Sequence, residues 1–484
     1  MKSDTILIYP ASLCITLCLI LPFLSLPIYA QQASASNTAQ TGSAQTGSAQ
    51  TGSAEASRRE IIQYGTETEI SSLIQSLRTE RADYLDNDLI ALAETSRNMK
   101  VLTGVFGFFA ERDKSGLETR AIRAIREREE EANETIQSAM EYLGKLKVTQ
   151  AASVIMELLD TEERRFLATG FRTLGLTSSG DKALSDETAE FLIDYYEYRD
   201  PGNDNRSTLI NAIGATGSSA AVNFLVGIAS NTDERIPLRM AALDALSKIG
   251  DPDGLEAILG CINTNDPNVR SAAVAALGPF SGPSVEKAIF DGFRDSYYRT
   301  RIAAAQASRE RRLASAVPYL KFRAERDEVP NVKDEAIRAL GAIANNEALE
   351  TLNNLFTDRR NTDRVRILSA EMLFKNNTGR NISALVIELE EAKTKNQTGL
   401  YNGLLKVIGE TLVEGDKTEI ENLARRFMQN GTIIEKSYGL DIASNNNLRG
   451  LSEHIITLTK DRNTSLAQKA RRVANVLDIV LPEE

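Results

Sequence analysis

From Arg58 almost to the C-terminus, apolar residues recur three and four positions apart, with few alternating β-branched runs and only scattered prolines. Such spacing lines one face of an α-helix. Val332, Ala336, Ile337 and Leu340 make one stripe before Gly341; Ala348, Leu352, Leu355 and Phe356 make a second beyond it. Val269, Ala273, Ala276 and Leu277 before Gly278, then Val285, Ala288, Ile289 and Phe293, repeat the arrangement. Each unit predicts two short antiparallel helices, the glycine ending the first by entering the left-handed conformation.

A longer rhythm overlies the helical one. Arg239, Arg270, Arg301, Lys333 and Arg366 follow one another at steps of 31, 31, 32 and 33 residues. The first four have alanine three places on (Ala242, Ala273, Ala304, Ala336), Arg366 has Ala370 one place late, and Arg165 with Ala168 is an outlying earlier copy. Glycines at 144, 175, 214, 250, 278, 341 and 409 give a second register, with Ser308 and Lys375 where two more would fall. A period near 32 fits one helix-turn-helix unit of a stacked array. The expected fold is all-α, an α-solenoid of about twelve antiparallel helix pairs between residues 61 and 481, on the order of 100 Å long.

Asp266-Pro267-Asn268-Val269-Arg270, then Ala272-Ala273 and Leu277-Gly278, resemble the HEAT and HEAT-like repeats, including the phycobilisome-lyase type. Looser copies occur at Pro237-Leu238-Arg239, Tyr298-Arg299-Thr300-Arg301, Pro330-Asn331-Val332-Lys333 and Arg364-Val365-Arg366. The resemblance is clear over residues 139–375; residues 58–138 and 376–484 read as degenerate terminal repeats and a cap. It implies a convex layer of first helices and a concave binding face of second helices, such as Val285 to Phe293 and Glu347 to Phe356.

The N-terminus reads differently. Residues 1–30, with Lys2 followed by an uncharged Leu- and Ile-rich stretch ending Ile28-Tyr29-Ala30, read as a secretory signal peptide or, if retained, an anchor. Residues 31–57, with Thr-Gly-Ser-Ala-Gln at Thr41 and Thr46, read as a disordered linker. Cys14 and Cys18 lie in the leader, so Cys261 is the only thiol of a processed chain and no internal disulfide is possible. A bacterial periplasm is the expected compartment, with an inner-membrane-anchored form as the alternative. Without Lys2 and Asp4 the charge is 55 minus 66, again -11, which disfavours nucleic acid as a partner.

Candidate chemistry is sparse. His454 is the single histidine, which argues against a zinc site. Cys261 lies in an apolar stretch and reads as a packed thiol. The acidic run Glu127 to Glu134, interleaved with Arg120, Arg123, Arg126 and Arg128, reads as a solvated, salt-bridged helix face. Gly104-Val105-Phe106-Gly107 is no phosphate loop. No catalytic residue, metal or cofactor is assigned. The expected function is a non-enzymatic, exported scaffold for protein partners, contacting a membrane only if the leader is retained. A membrane-tethered envelope component is the alternative, and a carboxylate-dependent glycan hydrolase a more distant one. The basic series Arg165, Arg239, Arg270, Arg301, Lys333 and Arg366 is expected to link neighbouring repeats. Candidate partner contacts are Phe106, Phe108, Phe109, Tyr297, Tyr298, Arg309, Arg311 and Arg312.

Overall fold

The computed structural model describes residues 46–375 and 382–482, so the expected leader lies outside the described residues. The chain divides into two compact units, Met1–Arg58 and Arg59–Glu484. In the first, the described part is helical from Thr46, within the helix Thr46–Tyr64. The segment expected to be unfolded to residue 57 is therefore helical in its last part, where Ala54, Glu55, Ala56 and Arg58 supply strong helix formers.

In the second unit, among the described residues, the regular elements are α-helices and short 3-10 turns. First helices such as Ile236–Ile249, Pro267–Ala275, Tyr298–Glu310 and Pro330–Ile343 alternate with second helices such as Leu255–Cys261, Pro283–Gly292, Val317–Arg326 and Asn346–Thr357. Twelve such pairs run from Glu67 to Leu458 among the described residues, and a further helix, Thr464–Val476, follows the last. The fold is thus the all-α solenoid of about twelve pairs that the periodicity predicts. Local signals set the helix starts: Asp266 accepts from the backbone N–H groups of Asn268 and Val269 at 2.8 and 3.1 Å, and Pro267 needs no partner in the first turn. Thr66 with Glu69, and Thr432 with Glu435, form capping boxes.

The stripes form one continuous core: Val269, Ala273, Leu277, Val285 and Ile289 are fully buried, as are Ala242, Ala304, Ala336 and Ala370. The recurring alanine is the small residue that lets the helices of a stack approach closely.

Most register glycines do a different job from the one expected. Gly144, Gly175, Gly214, Gly341 and Gly409 lie inside their first helices, and only Gly250 takes the left-handed cap position, at φ 68°. A Cβ on Gly175 would stand 2.5 Å from the Ala212 carbonyl oxygen of the next first helix, and one on Gly214 would stand 2.6 Å from Ala245. These glycines bring helix backbones together. The left-handed caps fall three or four positions later, at Lys147, Gly217, Arg312, Ala344 and Asn447. Ser308 substitutes for glycine at a fully buried site by returning its hydroxyl to Ala304 O at 2.8 Å.

Consecutive first helices consequently pack backbone to backbone, whereas consecutive second helices approach sparsely.

Candidate protein-interaction surface

The basic series divides by what each side chain meets. Arg301 is buried and donates from Nε and Nη2 to Asp327 at 2.8 and 2.9 Å, and from Nη1 to the carbonyls of Asp295 and Ser296, both at 3.0 Å. Arg270 repeats this on Asp295, at 2.8 and 3.1 Å, with Thr264 O and Asn265 O. Each guanidinium thus joins the loop before its own first helix to the loop entering the next pair. Burial alone would raise the Asp327 carboxyl, yet the Arg301 hydrogen bonds and the Val329 N–H hold it below the usual carboxylate range; Arg270 and the Tyr297 N–H do the same for Asp295. Arg366 donates to Phe356 O at 2.9 Å and to Glu388 at 2.5 Å, and Lys333 to Glu325 O at 3.0 Å. Arg239 reaches only a carbonyl, Ala229 O at 3.0 Å. Arg165 is exposed, pairs with Glu163 two residues away and lies 4.8 Å from the Phe166 ring, so its guanidinium contacts stay within its own turn.

The candidate contact residues are dispersed. Phe106, Phe108 and Phe109 are each 0% exposed, with Arg112 over the Phe108 ring at 3.9 Å. Full burial removes them as a partner surface. Tyr297 donates to Asn268 Oδ1 at 3.0 Å, and its ring meets Tyr298 edge-on at 5.4 Å. Arg309 pairs with Glu335 at 3.0 Å, Arg311 donates to Phe280 O, and Arg312 holds the left-handed cap at φ 48°. The side chains of Tyr297, Arg309 and Arg311 are thus engaged within the fold, whereas that of Arg312 is exposed.

The acidic run also departs from expectation. The helix Glu118–Arg126 ends before it, and Arg120 is buried, donating to Glu131 at 2.6 Å and to Ala93 O at 2.9 Å. Five residues past the helix end, Glu131 turns back to satisfy a core guanidinium, a contact that helical spacing does not foresee.

A partly exposed aromatic cluster has formed elsewhere, on adjacent second helices, with Phe290 and Tyr319 half-buried and Phe293 buried beneath them. Phe290 and Phe293 of one pair stack on Tyr319 of the next, with centroids 4.7 and 5.7 Å apart and planes 7° and 17° from parallel. Phe322, one turn beyond Tyr319, is 48% exposed. Phe293, Tyr319, Phe322 and Pro318 line a cleft of about 410 Å³. Arg294 lies 5.5 Å from the Tyr319 ring, and Arg323 and Arg326 lie 5.3 and 5.6 Å from Phe322. Aromatic faces flanked by guanidinium groups are the composition of binding hot spots. The sequence signal for it was the Tyr319 to Arg326 stretch, where aromatic and basic residues share one short helix.

Among the described residues no group of three or more His, Cys, Asp or Glu side chains could hold a metal, and no helix is long and apolar enough to cross a membrane.

Helix pairs stacked by close first-helix packing, with proline in the first turn of several first helices and basic residues at Arg270 and Arg301 tied to the next loop, define a HEAT-type α-solenoid. A family model described as "Spirochaete HEAT repeat protein" matches residues 62–473, and the chain belongs to that family. The match runs through the repeats at both ends as well as the central ones. No curated protein matches the sequence. Similar solved structures include Kap121p (11% identity, TM-score 0.44, 87% of this chain and 53% of that one) and Kap121p bound to Pho4p (12%, 0.42, 87% and 53%). Another is the complex of CpcE and CpcF of phycocyanin lyase from Nostoc sp. PCC7120 (18%, 0.31, 60% and 94%). The chain thus spans about half the length of Kap121p.

Proposed function

We propose that this chain is a non-enzymatic scaffold that is exported to the bacterial periplasm and holds protein partners there. The observation that carries the binding reading is the patch of Phe290, Tyr319 and Phe322, an apolar surface edged by Arg294 and Arg326 on a molecule of net charge -11. Aromatic rings beside guanidinium groups suit a partner segment with an apolar or aromatic anchor beside acidic residues. Export is supported by residues 1–30, whose apolar run ends in a small residue.

Crosslinking and affinity capture from intact cell envelopes, with the wild type and a Phe322→Ser/Arg326→Glu variant of equal Tm, tests the binding reading. Partners enriched by the wild type and lost by the variant are expected; identical sets remove the patch from the proposal. Fractionation tests the address: a mature N-terminus at Gln31 in the soluble periplasmic extract is expected. An uncut leader in the membrane fraction favours the envelope tether instead.

A further inference from the structure

The cleft beside Arg239 is built like a rung of the basic series from which the acid has been removed. Arg366 shows the completed form: Nε donates to Phe356 O at the end of the preceding second helix, and Nη2 to Glu388, 22 positions on. Arg239 makes the same first bond, from Nε to Ala229 O at 3.0 Å. Twenty-two positions on from Arg239 stands Cys261, whose Sγ turns to that same Ala229 carbonyl at 3.4 Å. The other rung geometry, Arg270 to Asp295 at 25 positions, leads from Arg239 to Thr264. Neither position supplies a negative charge, and no ion pair of Arg239 occurs among the described residues. Yet Arg239 is only 6% exposed, and with Cys261 and Thr264 it lines a cleft of about 570 Å³. Within the protein this guanidinium donates from Nε alone, to Ala229 O, and Arg239 lines the cleft, which leaves its Nη groups able to receive an anion there.

We propose that this cleft is a receptor for a carboxylate brought by a partner protein, an Asp or Glu side chain completing the rung as Glu388 does for Arg366. A carboxylate is the chemistry because the fold places one on each of the fully paired guanidiniums, Arg270, Arg301 and Arg366. The exposed acids Asp253 and Glu256 stand on the same cleft, so the incoming acid is flanked by a basic residue that meets them. The proposal rests on the scaffold reading for the source of the carboxylate, but the receptor itself is testable alone.

The test uses the full chain and two small probes, N-acetyl-glutamate amide and its uncharged counterpart N-acetyl-glutamine amide, at constant ionic strength. The glutamate probe is expected to raise the Tm saturably, by about 1 to 2 °C more than the glutamine probe. Arg239→Gln and Cys261→Glu should each abolish that difference, the second while raising the Tm without any ligand. Should Arg239→Gln fail to fold, Cys261→Glu alone decides. Equal shifts from the two probes, or a glutamate-specific shift surviving in a folded variant, overturns the receptor. Inorganic phosphate outperforming the glutamate probe overturns the choice of carboxylate. A specific shift with unchanged partner capture by Arg239→Gln overturns only the protein source.

Discussion

Arg165, Arg270 and Arg301 are copies of one sequence signal, and their surroundings give them different energetic weight. Arg301 and Asp327 are both buried and bidentate, so Arg301→Ala strands a desolvated carboxylate and should cost about 3 to 5 kcal/mol. Arg270 and Asp295 are more open, and Arg270→Ala should cost about 1 to 3 kcal/mol. Arg165→Ala, losing an exposed pair, should stay within about 0.5 kcal/mol. Urea midpoints of the three variants check the order, and equal losses would refute the role of burial. Acid sensitivity follows from the same groups. Asp327 and Asp295 are held below their ordinary values, and Glu435, buried but bonded by Lys393, Tyr401 and the Thr432 N–H, is held at about 2. A folded-state value below the unfolded one contributes stability that is complete above the unfolded pKa and is lost as pH falls through the folded one. Unfolding free energy should therefore be level near neutrality and decline below about pH 4, less steeply in Arg301→Met. The arginines were legible because the period repeats them. Their acids were less so: Asp295 and Asp327 sit in turns 25 and 26 positions on, but Glu388 lies within the next second helix, where nothing local sets it apart.

At the scale of elements, helix type, number and alternation followed from apolar spacing, because burying one stripe per helix is what the chain must do to fold. The role of the glycines did not, since a residue one to three positions before a helix end serves a cap or a close approach equally well in one dimension. Only the neighbouring helix separates the two. Gly175→Ala should therefore destabilise by about 1 to 3 kcal/mol, since its Cβ meets a backbone carbonyl that cannot turn aside. Gly217→Ala, with open space but φ 73°, should lose about 1 kcal/mol through backbone strain alone. Thermal unfolding followed by circular dichroism separates them, and a fully tolerated Gly175→Ala would refute close approach as its function. The candidate surface was the least legible feature. Phe106, Phe108 and Phe109 attracted notice by crowding, yet crowding within one helix turn is met by burial on three sides. Phe290 and Tyr319, 29 positions apart, carry no joint signature until the stack brings them face to face.

Across the repeat array, each pair draws its support from the pairs on either side, so stability is a sum of local terms along the continuous core. Hydrogen exchange should be slowest in the central first helices, such as Ile236–Ile249 and Tyr298–Glu310, and fastest toward Glu67–Glu80 and Thr464–Val476. A single uniform protection level throughout would contradict nearest-neighbour coupling. The same wiring has a mechanical meaning. A tension applied along the chain loads the pairs in series, and the rungs at Arg270 and Arg301 act as clasps between successive links. Pulled from its two ends, the molecule should lengthen in steps, each releasing one pair of about 32 residues, or roughly 110 Å of contour. The links spanned by a buried clasp should part last.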